Sequence, residues 1–161
     1  MSTTNPIPST HRGIIPHLTC TPCAEALEFY KKAFGAEELC RMPMPDGSRL
    51  MHAEISIDGN VIFLHDDFPE YRPDQTPWSP KALGGTPVII HQYVTDCDAA
   101  IRRAADAGAT VTMPATDMFW GDRYGNVTDP FGHVWAFATH IRDMTPQEME
   151  AAAQAAFSAG C

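Results

Sequence analysis

Ser48-Arg49-Leu50-Met51-His52-Ala53-Glu54-Ile55-Ser56-Ile57-Asp58-Gly59-Asn60-Val61-Ile62-Phe63-Leu64-His65 is the stretch whose reading decides the fold. Apolar and polar residues alternate ahead of Asp58-Gly59, the period-two pattern of a half-buried strand, and the short apolar run Val61-Ile62-Phe63-Leu64 follows it. A two-residue primed turn needs positive φ at both central positions, and Asp-Gly meets that need. The segment therefore predicts a hairpin of strands over 48–57 and 60–65.

Working outward, Pro45-Asp46-Gly47 marks a turn behind a further strand over 37–42. Upstream, Gly13 to Cys20 is short and apolar. It is followed by Thr21 as an N-cap, Pro22 in the first helical turn and Glu25 as an early acid. Leu27, Tyr30 and Phe34 then recur at helical spacing and Gly35 stands at a left-handed C-terminal cap, which predicts a helix over 22–34. The first half reads β-α-β-β-β.

The second half repeats that order: a strand over 88–94, a helix over 96–107 ended by Gly108, and strands over 109–114, 124–128 and 133–140. His17-x-x-x-Thr21 resembles His91-x-x-x-Thr95, and Phe34-Gly35-Ala36 resembles Ala107-Gly108-Ala109, in matching sequence order. The fold class is α+β, two βαβββ modules. One domain is expected over 12–141, with module one over 12–65, module two over 88–141, and a connection over 66–87. The connection carries Pro69, Pro73, Pro77 and Pro80, which forbid regular pairing, and its length makes it a candidate lid or interface segment. Thr145-Pro146-Gln147-Glu148 is a capping box opening a helix through about Phe157, a surface element in the tail 142–161.

The chain has 161 residues and a formal charge of −9. That balance disfavours nucleic acid and anionic membrane surfaces, and favours a neutral or cationic small molecule. No apolar run approaches the length of a membrane span, and Met1 to His11 lacks a signal core, so the expected location is the cytoplasm. Cys20, Cys23, Cys40, Cys97 and Cys161 lack zinc-site spacing and are read as packing thiols. Cys20-Thr21-Pro22-Cys23 has redox C-x-x-C spacing in a pattern unlike a thioredoxin's. Phosphate loops, a nucleophile elbow and a dinucleotide fingerprint are absent from the sequence.

Glu28-Phe29-Tyr30-Lys31-Lys32-Ala33-Phe34-Gly35-Ala36, the strand His52-Ala53-Glu54-Ile55, and Trp120-Gly121-Asp122-Arg123-Tyr124-Gly125 leading into Asp129-Pro130-Phe131-Gly132-His133 resemble the vicinal oxygen chelate superfamily. The resemblance is to its PhnB-like, glyoxalase/bleomycin-resistance-like branch and spans residues 12–141. It implies paired βαβββ modules whose curved mixed sheets enclose a cavity, homodimers, and a ligand pocket inside the sheets. It also implies, in metal-dependent members, four ligands from the first and last strand of each half. Glu54 matches the first half's last-strand ligand. Ile15 and Ile89 align with the first-strand positions, and His17 and His91 follow each by two residues on the same face. Ala136 falls on the fourth position and cannot ligate; His140 lies four residues further on the same face.

The expected metal ligands are therefore His17, Glu54 and His91, holding one divalent ion (Zn, Ni, Mn or Fe), with Glu54 also the catalytic carboxylate. His52, Trp120, Arg123 and Tyr124 are the expected ligand-binding residues. His17, His91 and Glu54 equally suit cavity-facing polar roles, and Asp122-Arg123 a surface pair. Two functions follow from the resemblance: an enzyme acting on a small molecule with adjacent oxygens, with or without a divalent metal, or a metal-free protein that sequesters a small antibiotic-like compound.

Overall fold

The computed structural model describes residues 5–158; Cys161 lies outside the described residues. The chain divides into two units, Met1–Gly84 and Gly85–Cys161. In the first, β1 (His17–Thr19), α1 (Cys23–Phe34), β2 (Glu37–Pro43), β3 (Leu50–Ile57) and β4 (Asn60–His65) form a four-stranded sheet of order β1-β4-β3-β2. The β1–β4 pair is parallel and the others antiparallel. In the second, β5 (Ile89–Tyr93), α3 (Cys97–Ala107), β6 (Thr110–Asp117), β7 (Asp122–Thr128) and β8 (Val134–His140) give β5-β8-β7-β6. Both units are thus βαβββ modules with mixed sheets, as the sequence predicts.

The hairpin closes on Ile57 opposite Asn60, with φ of 48° at Asp58 and 78° at Gly59. Parity then fixes the faces. Ala53, Ile55, Ile57, Ile62, Leu64 and Leu18 are buried with the α1 residues Ala26, Leu27, Tyr30 and Ala33. Each fully buried Leu or Ile of that core contributes roughly 1.5–3 kcal/mol. The opposite face carries His17, Thr19, His52, Glu54, Phe63 and His65.

The start of α1 departs from expectation. Pro22, not Thr21, is its N-cap, with no side-chain capping bond of its own. Thr21 Oγ1 accepts the amide of Asp67 instead, and the Asp66 carboxylate accepts the amide of Cys23 at 3.0 Å. The connection is also more ordered than its prolines suggest. It holds a 3-10 turn (Pro69–Tyr71) and the short α2 (Pro80–Leu83). Buried Asp67 accepts from Arg72 and from the amides of Trp78 and Ser79, while Arg72 stacks 4.1 Å from the Trp78 ring centre. β6 runs on past Pro114, with register shifts on both sides of Met113. The tail helix α4 (Pro146–Ser158) opens on the expected box, Thr145 and Glu148 exchanging hydrogen bonds. No helix among the described residues is long and apolar enough to cross a membrane.

Candidate functional site

In the first unit, the sheet face turned away from α1 gathers histidines around one carboxylate. Period-two geometry projects His52 and Glu54 together from β3, and the antiparallel register sets Cys40 of β2 opposite Glu54. The ligand atoms of Cys40, His52 and Glu54 lie within 4.8 Å of one another, the one such trio of potential metal donors among the described residues. Glu54 Oε1 accepts from His52 Nε2 at 3.2 Å and Oε2 from His11 Nε2 at 3.0 Å. Phe63 stands beside this cluster, its ring 4.8 Å from His52 and 5.6 Å from His17. His17 also meets the rings of His65 at 4.7 Å and His52 at 5.8 Å.

Burial raises the pKa of the Glu54 carboxyl, but the hydrogen bonds from His11 and His52 and their charge outweigh it, and the net shift is downward. Glu54 is thus held ionised, which suits a ligand to a cation better than a neutral-pH proton acceptor. Burial lowers the pKa of His17, and the neighbouring His65 and His52 lower it further, so its imidazole favours the neutral form. Burial also raises the Cys40 thiol, with the Glu54 charge adding to it.

The register corrects one sequence reading. The first unit's last strand is β4, whereas Glu54 lies on β3. His17 pairs with Phe63 across β1–β4 as His91 pairs with Ala136 across β5–β8. Phe63 pairs in turn with Glu54, and Ala136 with Asn126. Phe63 is therefore the counterpart of Ala136, and Asn126 that of Glu54. Both last-strand positions carry side chains that cannot bind a metal, so the four-ligand arrangement implied by the resemblance does not fit this chain. Cys40, His52 and Glu54 do offer a soft, a borderline and a hard donor, a set compatible with a three-ligand zinc site.

In the second unit the face away from α3 bears His91, Tyr93, Tyr124 and Asp122. His91 stacks on Tyr124 at 5.8 Å and meets Tyr93 at 5.0 Å; Trp120 meets Tyr124 at 5.9 Å. Asp122 is buried and accepts from His140 Nδ1 at 2.8 Å, the Tyr93 hydroxyl at 3.0 Å and Trp120 Nε1 at 3.2 Å. Arg123 projects to the opposite face, where it pairs with Asp98 of α3 and with Asp117. It is thus apart from Trp120 and Tyr124, and Asp122 and Arg123 do not pair with each other. Ile101 explains that face: a Cβ added at Gly125 would stand 2.4 Å from its Cδ1, so α3 packs directly on β7.

Sequence reasoning missed His11, Cys40 and the Asp122 network. Cys40 was not legible, because only the register shift between Glu38 and Cys40 sets it opposite Glu54. His11 had no local signal, because it lies outside every periodic segment.

This geometry defines a protein of paired βαβββ modules with a histidine-and-carboxylate face, and residues 14–137 match the model of the Glyoxalase/Bleomycin resistance protein/Dioxygenase superfamily. The chain belongs to that family. It is 48% identical over 140 residues to the uncharacterized protein Mb0911c of Mycobacterium bovis, covering 87% of this chain and 91% of the relative. Among solved structures it is similar to TioX of Micromonospora, with TM-score 0.61, 26% identity, and coverage of 81% of this chain and 100% of TioX. It shares the fold of the PhnB protein of Bacillus cereus, with TM-score 0.59, 16% identity, and coverage of 80% and 99%.

Proposed function

We propose that this chain is a metal-assisted enzyme acting on a small molecule with adjacent oxygens, and that Cys40, His52 and Glu54 of the first sheet hold the divalent ion. The observation that carries this reading is the convergence of those three donors on neighbouring strands. When bound, a divalent ion supplies Lewis-acid polarisation of a carbonyl oxygen. The chain's own residues do the rest. Glu54 brings a carboxylate already ionised, Cys40 gives up its proton to the medium on metal uptake, and Phe63 and His17 wall the face on which a small ligand rests.

Zinc titration with a chromophoric competitor, read on the wild type and on Cys40→Ser and Glu54→Gln, tests this reading. About one tightly held ion per chain is expected, with both variants weakened and their circular dichroism unchanged. Zinc-dependent turnover of small α-hydroxy ketones would then identify the reaction class. Uptake of zinc, nickel, manganese and iron that is absent, or unaltered in both variants, refutes the site.

Phe63 and Ala136 at the last-strand positions favour a second reading, a metal-free binder in which Trp120, Tyr124 and His91 contact a flat ligand. Under it, aromatic cations quench Trp120 fluorescence with no added metal.

A further inference from the structure

We propose that His11 is a positioning residue of the Cys40–His52–Glu54 site, and that the N-terminal segment it anchors is a working part of that site; this rests on the metal reading above. His11 lies outside the βαβββ framework, yet its ring sits 5.4 Å from that of Phe63 and its Nε2 is 3.0 Å from Glu54 Oε2. Both contacts are on the face that carries the trio. His11 is held from behind as well: its amide donates to Pro8 O at 3.1 Å and its Nδ1 meets Thr10 Oγ1 at 2.9 Å.

The bond to Glu54 has one polarity. An ionised carboxylate only accepts, so His11 Nε2–H donates to Glu54, while the Thr10 hydroxyl, able to donate or accept, steadies Nδ1. The bond from His11 occupies Oε2. Glu54 is then left to present Oε1, on the His52 side, to a cation. A histidine that orients a ligating carboxylate from outside the ligand set is worth about 10–100-fold in metal affinity. Because coupling is reciprocal, the metal must tighten the N-terminal segment on the sheet by the same factor.

Exposed Arg12, next to His11, supplies a readout independent of activity. Trypsin cleavage after Arg12 reports how readily the segment lifts, and where opening is fast the rate follows the open population. The experiment measures zinc affinity by chelator competition, and Arg12 cleavage by intact mass with and without zinc, for wild type, His11→Ala and His11→Gln. Glutamine can place an N–H donor where Nε2 stands.

The expected result is a roughly 10–100-fold loss of zinc affinity in His11→Ala and near-wild-type affinity in His11→Gln. Zinc should slow Arg12 cleavage in the wild type but not in His11→Ala. If His11→Ala fails to fold, His11→Asn, too short to reach Glu54, takes its place. Wild-type uptake with equal affinity in His11→Ala overturns the role of His11 and leaves the metal site standing. No uptake by the wild type overturns both.

Discussion

Replacing Asp66 by alanine removes a side chain that joins the first turn of α1 to the strand bearing the candidate site. Its Oδ1 accepts the Cys23 amide at 3.0 Å and its Oδ2 the Leu50 amide at 2.7 Å, and all three residues are buried. Water cannot take over either bond. An unsatisfied buried donor costs about 1–3 kcal/mol, and loss of a negative charge at a helix N-terminus adds roughly 0.3–1 kcal/mol. Two donors and the dipole together give about 4 kcal/mol for Asp66→Ala. Asp66→Asn, which keeps one acceptor oxygen, should cost about half as much by the same count. A domain stability of about 5–15 kcal/mol makes the first change severe. Urea denaturation followed by far-ultraviolet circular dichroism measures it, with an unchanged m-value showing that the denatured state is not what moved. A loss below about 1 kcal/mol for Asp66→Ala, the size of one ordinary exposed hydrogen bond, would refute the argument that this carboxylate caps α1.

Other outcomes follow from both units. The hydrogen bonds from His140 to Asp143 and to Asp122 raise its pKa above the ordinary 6.5. Its contribution to stability is therefore fully present below pH 6.5 and is lost as pH rises through the folded-state value. Urea midpoints measured from pH 6 to 9 should fall more steeply for wild type than for His140→Gln. Gly125→Ala should cost about 1–3 kcal/mol by overpacking, since the new methyl would lie 2.4 Å from Ile101 Cδ1 and 2.7 Å from the Met113 carbonyl oxygen; a thermal melt within error of wild type would contradict the packing of α3 on β7. Gly59→Ala should destabilise by about 1 kcal/mol, because φ of 78° there favours glycine, and a smaller loss at Gly47 or Gly59 than at an ordinary surface site would count against the turn assignments.

The two modules were legible because their signals are local. The Asp58-Gly59 turn, the period-two alternation around it and the glycine-capped helices depend on a few neighbouring residues, and each appears within one to three residues of its predicted bounds. Parity likewise puts His52 on the same strand face as Glu54. What the sequence could not determine was pairing beyond that hairpin. Its two-residue turn sets Glu54 opposite Phe63, but that Cys40 opposes Glu54 depends on a register shift between Glu38 and Cys40. Such a bulge is placed by the packed sheet and has no signal in the neighbouring residues. The same holds for the α1 cap, where Asp66 reaches back 43 residues to an amide that Thr21 was expected to serve. It holds for His11, which reaches Glu54 from 43 residues away and carries no periodicity of its own. Side-chain chemistry is written in the sequence, but which groups share a hydrogen bond is decided by the chain's return in three dimensions.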